Sequence, residues 1–296
     1  MKNAFAGYHP TINFLYFTLV LLCSMFFIHP ICIVISLVCA VVYSIILNGR
    51  KAVHFNLLYM LPMLLAAALI NPAFNHEGVT VLAYLSNGNP LTLESIIYGI
   101  AAAAMIVTVI CWFSCYNAVM TSDKFIYLFG RVIPALSLIL SMVLRFVPKF
   151  KTQIRIISKA QRCIGRDVSN GSIIQRAKHG IRILSIMVTW ALENAIETAD
   201  SMKSRGYGLP GRTAFSIFRF DGRDKKALGV IGCMGLYVLA GYFTGNLYWR
   251  YFPSMKGMVA TRYSVSVFVA YFILCISPVI IELWEDRKWK LIQSSI

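Results

Sequence analysis

The residues of this chain whose types and spacing point most directly to a chemistry are two basic, glycine-containing groups. Arg162, Cys163, Ile164, Gly165 and Arg166 form the first; Ser204, Arg205, Gly206, Tyr207 and Arg212 form the second. A guanidinium presents several donors in one plane and suits carboxylates and backbone carbonyls. An adjacent glycine lets another backbone approach closely. This is a chemistry of recognition, not of bond making. Other candidates are weaker. Glu193, Glu197 and Asp200 form an acidic row, but a charged helix face is the commoner origin of such a row. His76 and Glu77 could act as ligands, although the turn signals around them point to an ordered loop. No HExxH, P-loop or Asp-rich motif occurs, so no metal or nucleotide site is expected. Seven of the eight cysteines lie in apolar runs and no CxxC pair occurs, so they read as small hydrophobes, not as a disulfide or zinc framework.

Helices must present the two groups. Phe150, Ile154, Ile157, Ala160 and Ile164 recur at spacings of three and four, one apolar stripe on a helix. Lys149, Lys151, Arg155, Lys159, Arg162 and Arg166 take the remaining surface, and Gly165 is a natural helix stop. After a Ser-Asn-Gly-Ser break at residues 169–172, a second stripe runs through Ile174, Ala177, Ile181, Leu184, Val188, Ala191, Ala195, Ala199 and Met202. It extends roughly 42 Å at about 1.5 Å per residue. It runs out at Lys203-Ser204-Arg205-Gly206. The expectation is that the two stripes pack on each other and on neighbouring helices. Helix-end capping accounts for one terminal Arg; two helices with the same basic, glycine-ended tip ask for more.

The rest of the chain is apolar. It has 296 residues and a net charge of +16, yet 58% are hydrophobic and only 14% charged. Residues 123–226 hold 19 Lys+Arg against 7 Asp+Glu, so this third carries +12 of the charge. Six runs lack any Asp, Glu, Lys or Arg: residues 12–28, 31–47, 53–70, 96–120, 227–246 and 263–281. Each approaches the about 20 residues needed to cross a bilayer and, lacking other backbone partners in lipid, is expected to be helical. Residues 29–30, His-Pro, read as the turn of a membrane hairpin. His54, inside the third run, reads as a buried polar contact between helices; His9, His29 and His179 join no constellation. The apolar stretch 132–144 is too short to span and reads as interfacial or re-entrant. Residues 71–95 lack Lys and Arg and are expected outside; the basic middle and both termini are expected in the cytoplasm, against a mild dissent from Arg250, Lys256 and Arg262.

The second group, SMKSRGYGLPGRT (residues 201–213), resembles the signature of the transmembrane T component of energy-coupling factor (ECF) transporters, the EcfT/CbiQ family. That family carries two Ala-Arg-Gly motifs, one at the tip of each of two cytoplasmic coupling helices. Here the second reads Ser204-Arg205-Gly206-Tyr207-Gly208, with Arg212-Thr213 downstream. In register, Cys163-Ile164-Gly165 stands for the first; Ile164 replaces the arginine, and Arg162 and Arg166 flank it. Leu144-Arg145-Phe146-Val147-Pro148 also resembles a family feature. The resemblance implies an all-α integral membrane protein: about six transmembrane helices plus long amphipathic cytoplasmic coupling helices. The divisions would be membrane helices in 1–122, the coupling-helix region in 123–226, and membrane helices with a cytoplasmic tail in 227–296. It implies a non-catalytic subunit of a prokaryotic cell-membrane ABC importer, binding no cofactor itself. Two cytoplasmic ABC ATPases would bind the ATP and seat the helix tips, and a membrane-embedded S component would bind a vitamin or a metal ion.

The residues themselves leave other readings open. One is a membrane enzyme acting with a basic cytoplasmic face on an anionic lipid; another is a stand-alone carrier, which often shows broken helices and midplane charges. A membrane-anchored nucleic-acid binder is a third, and Phe218 and Phe220 beside Arg219 and Arg223 are too few for a stacking platform. The expected partners are therefore proteins and membrane lipids, with no nucleic acid.

Overall fold

The computed structural model describes residues 3–84, 88–130, 133–169, 171–210, 218–257 and 261–294. The protein is an all-α membrane protein whose chain divides into two compact units, Met1–Phe125 with Phe218–Ile296, and Ile126–Ile217.

In the first unit the apolar runs are helices. They are α1 (Pro10–Phe26), α2 (Pro30–Asn48), α3 (Arg50–Phe55), α4 (Leu61–Phe74) and α5 (Leu93–Val119). After the excursion into the second unit come α9 (Gly222–Phe243) and α10 (Arg262–Ser294). Five stretches among the described residues are long and apolar enough to cross a membrane, and α1 is a shorter apolar helix of 17 residues. The third run is interrupted: α3 and α4 are joined by a π turn, Asn56–Met60. His54, expected to be buried, is instead exposed in the last turn of α3. The reason is that little of this span is covered by other helices.

Two His-Pro pairs start the first two helices. Proline at the first helical position has no N–H to orphan and the right φ. The preceding His9 and His29 cap the helices, Nδ1 accepting from Thr11 N–H (3.4 Å) and Ile31 N–H (3.3 Å). Burial holds both imidazoles below the ordinary histidine value, which favours the neutral ring with a free lone pair.

The core of this unit is aromatic, with Tyr16, Phe17, Tyr43, Trp112 and Tyr271 fully buried. Several of its polar atoms find partners across helices, although the buried Tyr43 hydroxyl has no hydrogen bond among the described residues. Trp112 Nε1 donates to Ser36 Oγ (2.9 Å), which is bonded to Ser24 (2.7 Å), and Tyr16 donates to the Cys275 carbonyl (3.1 Å). Pro278 inside α10 removes the N–H that would reach Leu274; the Ser277 hydroxyl donates to that carbonyl instead (2.9 Å). Gly99 lets α5 approach α4 closely, since a Cβ there would lie 2.7 Å from the Ala68 carbonyl. Within residues 71–95, β1 (Val81–Tyr84) pairs antiparallel with β2 (Pro90–Thr92). The pair is tied to α5 by Glu94, which accepts from the Thr80 hydroxyl (2.8 Å) and Thr80 N–H. His76 bonds Asn89 (3.1 Å) there, and no metal-holding group of His, Cys, Asp and Glu occurs among the described residues. A second, shorter antiparallel pair joins β3 (Trp249–Arg250) and β4 (Lys256–Gly257).

The second unit contains most of α6 (Ser122–Gly130) and the helical pair α7 (Pro134–Cys163) and α8 (Ile173–Ser204). The apolar stretch read as interfacial or re-entrant is, from Pro134 on, continuous with the basic helix, because α7 runs through Pro148 without ending. Phe150 meets Trp190, Lys149 meets Asn194, and Ile157 clusters with Ile183 and Met187. Rising numbers on one helix face falling numbers on the other, so α7 and α8 are antiparallel.

The α7–α8 seam corrects the expectation that the two stripes face each other. Ile183 and Met187 are buried, with Phe150, Val168 and Trp190 packed on them. Ile181, Leu184 and Val188 of the expected stripe are exposed. The helix has two apolar faces, and periodicity alone does not rank them. The bulky Met187 and Trp190 meet Phe150 and bury more area, at about 25 cal/mol per Å².

Candidate functional site

The ends of α7 and α8 are built alike. At the end of α7, Gly165 N–H donates to the Arg162 carbonyl (3.0 Å) and Arg166 N–H to the Gln161 carbonyl (2.9 Å). At the end of α8, Gly206 N–H donates to Lys203 (3.0 Å) and Tyr207 N–H to Met202 (3.0 Å). This is the Schellman pattern at both ends, with the glycine left-handed at φ 77° and 79°. A side chain at either glycine would be strained, so the sequence supplies glycine where the backbone reverses. Ile164 and Arg205 therefore occupy equivalent positions, each the last residue before the left-handed glycine.

That equivalence puts Cys163-Ile164-Gly165 in register with Ser204-Arg205-Gly206. Both central residues are exposed, Ile164 at 59%. Cys163, Arg162, Arg166, Ser204, Arg205 and Tyr207 are exposed as well. Ser204 Oγ donates back to the Ser201 carbonyl (2.9 Å), tightening the last turn. Arg212 lies outside the described residues.

The first tip has an internal brace. Asp167 accepts from Ser169 N–H (3.1 Å) and from its hydroxyl, and pairs with Arg162 Nε (3.4 Å). The Ser169 bonds, more than Arg162, hold the Asp167 carboxyl below its ordinary value. Arg176 Nε donates to the Val168 carbonyl (2.7 Å), fastening this turn to the start of α8. Ser172 and Gln175 cap that start reciprocally, a capping box that ends one helix and begins the next within a few residues. Of the two arginines flanking Ile164, Arg162 is thus engaged within the turn.

The second tip adjoins a groove. A cavity of about 860 Å³ is lined by Arg145, Phe146 and Lys149 from α7 and by Glu197, Arg205 and Tyr207 from α8. Antiparallel pairing brings Arg145 and Lys149 to the same groove as Arg205. No local spacing in the sequence links positions so far apart, so the pattern along the chain does not bring Arg145 and Lys149 to Arg205. Lys149 reaches Asn194 and sits 5.2 Å above the Trp190 ring. The acidic row is split: Glu197 faces the groove, whereas Glu193 and Asp200 do not line it.

The antiparallel arrangement also sets the distance between the tips. Arg205 shares its groove with Leu138, and Ile164 lies at the far end of α7. From Leu138 to Ile164 is roughly 39 Å of helix at about 1.5 Å per residue. The candidate site is therefore two exposed tips, one carrying a cation and one an apolar side chain, at opposite ends of the antiparallel pair. Neither tip brings together a nucleophile, an acid–base pair or a ligand cluster among the described residues.

Comparison with known proteins agrees with this architecture. The family model for CbiQ, described as cobalt transport protein, matches residues 7–215. An energy-coupling factor transporter transmembrane protein EcfT of Lactobacillus helveticus is 35% identical over 102 residues, 34% of this chain and 37% of that protein. The EcfT of Bacillus selenitireducens is 35% identical over 112 residues, 38% of this chain and 42% of its own length. That of Brevibacillus brevis is 37% identical over 96 residues, 32% and 36% of the two lengths. The aligned part thus spans less than half of each of these relatives. The family match covers both the membrane helices before the tips and the tips themselves, and the chain belongs to the CbiQ family.

Proposed function

We propose that this chain is the transmembrane T component of an ECF-type importer, a non-catalytic subunit that carries motion from cytoplasmic ABC ATPases to a substrate-binding S component in the membrane. The observation that carries the proposal is the pair of matching glycine-ended tips at opposite ends of the α7–α8 hairpin. Two partners can each take one tip, and a stiff antiparallel pair converts a change in their separation into tilt or shear of the helices. The names of the EcfT relatives support the same reading.

In this mechanism ATP is bound and hydrolysed on the partners. Arg205 supplies planar donors to a carboxylate or to carbonyls on one ATPase, with Gly206 allowing close approach and Tyr207 beside it. The other tip docks through the exposed apolar Ile164, with Cys163, Gly165, Arg162 and Arg166 around it. When ATP closes the ATPase pair, the tips follow, and the movement reaches the S component, which releases its substrate inward. The tips and both chain termini lie on the cytoplasmic side, as the distribution of Lys and Arg favours.

Co-expression with the ABC ATPases of the same genome tests this. Arg205→Glu places like charge against an acidic groove and loses a charge-assisted contact worth about 2–5 kcal/mol. Recovery of ATPase with the purified chain should fall at least about tenfold, with membrane insertion unchanged. Undiminished recovery with the Arg205→Glu chain would overturn the tip assignment.

A further inference from the structure

The chain crosses between its two compact units twice, at Phe125–Ile126 and at Ile217–Phe218. The described residues that flank these crossings on the membrane side are held by one short stretch at the N-terminus, Ala4 to His9. Before the first crossing, Lys124 is buried, 6% exposed, and its ammonium donates to the Ala6 carbonyl (2.6 Å) and to the Val119 carbonyl at the end of α5 (3.1 Å). Asn13, fully buried, completes the set when its amide is turned to satisfy both neighbours. Its oxygen then accepts from Lys124 (3.0 Å) and its nitrogen donates to the Phe5 carbonyl (3.0 Å). After the second crossing, the Phe220 ring meets the His9 ring edge-on (5.1 Å). Arg223 donates to the Gly7 carbonyl (3.2 Å) and lies 4.3 Å from the Tyr8 ring centre, and the buried Asp224 accepts from His9 N–H (3.3 Å).

The same stretch is fastened from a third side. Glu282 of α10 accepts from Ala4 N–H (2.9 Å) and Phe5 N–H (3.2 Å), and Glu285 pairs with Arg223 (3.4 Å). Four consecutive residues, Ala6 to His9, thus meet the first connection through one and the second through three. Pulling the stretch away would leave Lys124 and Asp224 buried without these partners, which is strongly unfavourable. It therefore stays with both connections or with neither. A terminal segment whose only task was to cover the core would not need to engage both crossings.

We propose that residues 4–9 are a latch that sets where both connections to the coupling unit leave the membrane body, with Lys124 and Phe220 as its positioning residues. Motion imposed on the coupling unit then reaches the membrane helices through this shared support. Its part in transmission rests on the function proposed above; the latch itself does not.

Distances between spin labels in the full chain in nanodiscs test it. One label goes on Lys178→Cys in the coupling unit and one on Arg287→Cys in α10, with the exposed Cys163 and Cys233 changed to serine. Phe220→Ala, at a half-exposed ring, and Lys124→Met should each roughly double the width of the distance distribution while the helical content and melting temperature of the membrane body are retained. Widths equal to the background in a folded chain would overturn the latch; if Lys124→Met fails to fold, Phe220→Ala decides alone. The same labels in the ATPase complex separate the two ideas. Absence of any ATP-driven shift in a background chain that still recovers the ATPases counts against the coupling function, whereas unchanged widths in the variants count against the latch.

Discussion

Ile164 and Arg205 occupy the same position of the same helix-ending motif and differ completely in chemistry. Under the proposed function the two tips present different chemistry to their partners, an apolar side chain at one and a cation at the other. Ile164→Arg separates two origins of this difference. If the first tip is a degenerate copy of the second, the variant binds its ATPase as well as the parent or better. If an apolar groove on the partner receives Ile164, an unpaired guanidinium enters it and recovery of that ATPase falls at least about tenfold, the cost of a poorly compensated charge. Gly206→Val probes the backbone instead. Forcing an L-residue into the left-handed conformation costs about 1–2 kcal/mol. ATPase recovery should drop about tenfold as the tip reshapes, and Gly206→Asn, which tolerates that conformation better, should recover part of it.

At the scale of elements, the two helices and their stops were legible because glycine, serine and a three-four apolar rhythm are local signals. The face that α8 turns to α7 was not. Ile181, Leu184 and Val188 make as good a stripe as Ile183, Met187 and Trp190, and only the presence of Phe150 and Ile157 opposite selects the second. Met187→Ala tests the selection. A buried methionine cut to alanine costs about 2–5 kcal/mol, so amide exchange along α7 and α8 should speed up while that of the membrane helices stays as it was. Leu184→Ala, on the exposed stripe, should leave exchange in the isolated chain almost unchanged. Equal effects of the two would mean that both faces are packed. The capping histidines were also hidden from a search for constellations, although the repeated His-Pro pair is a readable helix start.

For the whole molecule, those histidines couple folding to pH. Burial holds His9 and His29 below the ordinary histidine value, so the folded chain binds protons less readily than the unfolded one. Their effect on stability is absent well above about pH 6.5 and grows unfavourable as pH falls through the histidine range. The melting temperature of the detergent-purified chain should therefore fall between about pH 7 and about pH 5, and His9→Asn with His29→Asn, which keeps a capping oxygen without the titration, should flatten that slope. Topology is a second property of the whole chain. Labelling with a membrane-impermeant thiol reagent at Lys288→Cys, in a Cys163→Ser and Cys233→Ser background, should require opened cells if the C-terminus is cytoplasmic.

What the sequence by itself determined is the class of protein and the chemistry of its tips. Six uncharged runs demand helices in lipid, a +12 middle demands a separate basic element, and Arg-Gly after a long stripe marks a basic helix end. These are properties of composition and of near neighbours along the chain. What only the tertiary structure decided are pairings between distant positions: Arg145 and Lys149 beside Arg205, Met187 rather than Leu184 in the seam, and the N-terminal turn against both Lys124 and Asp224. Such pairings depend on which faces of separate helices meet, and a periodic pattern states only that a face exists.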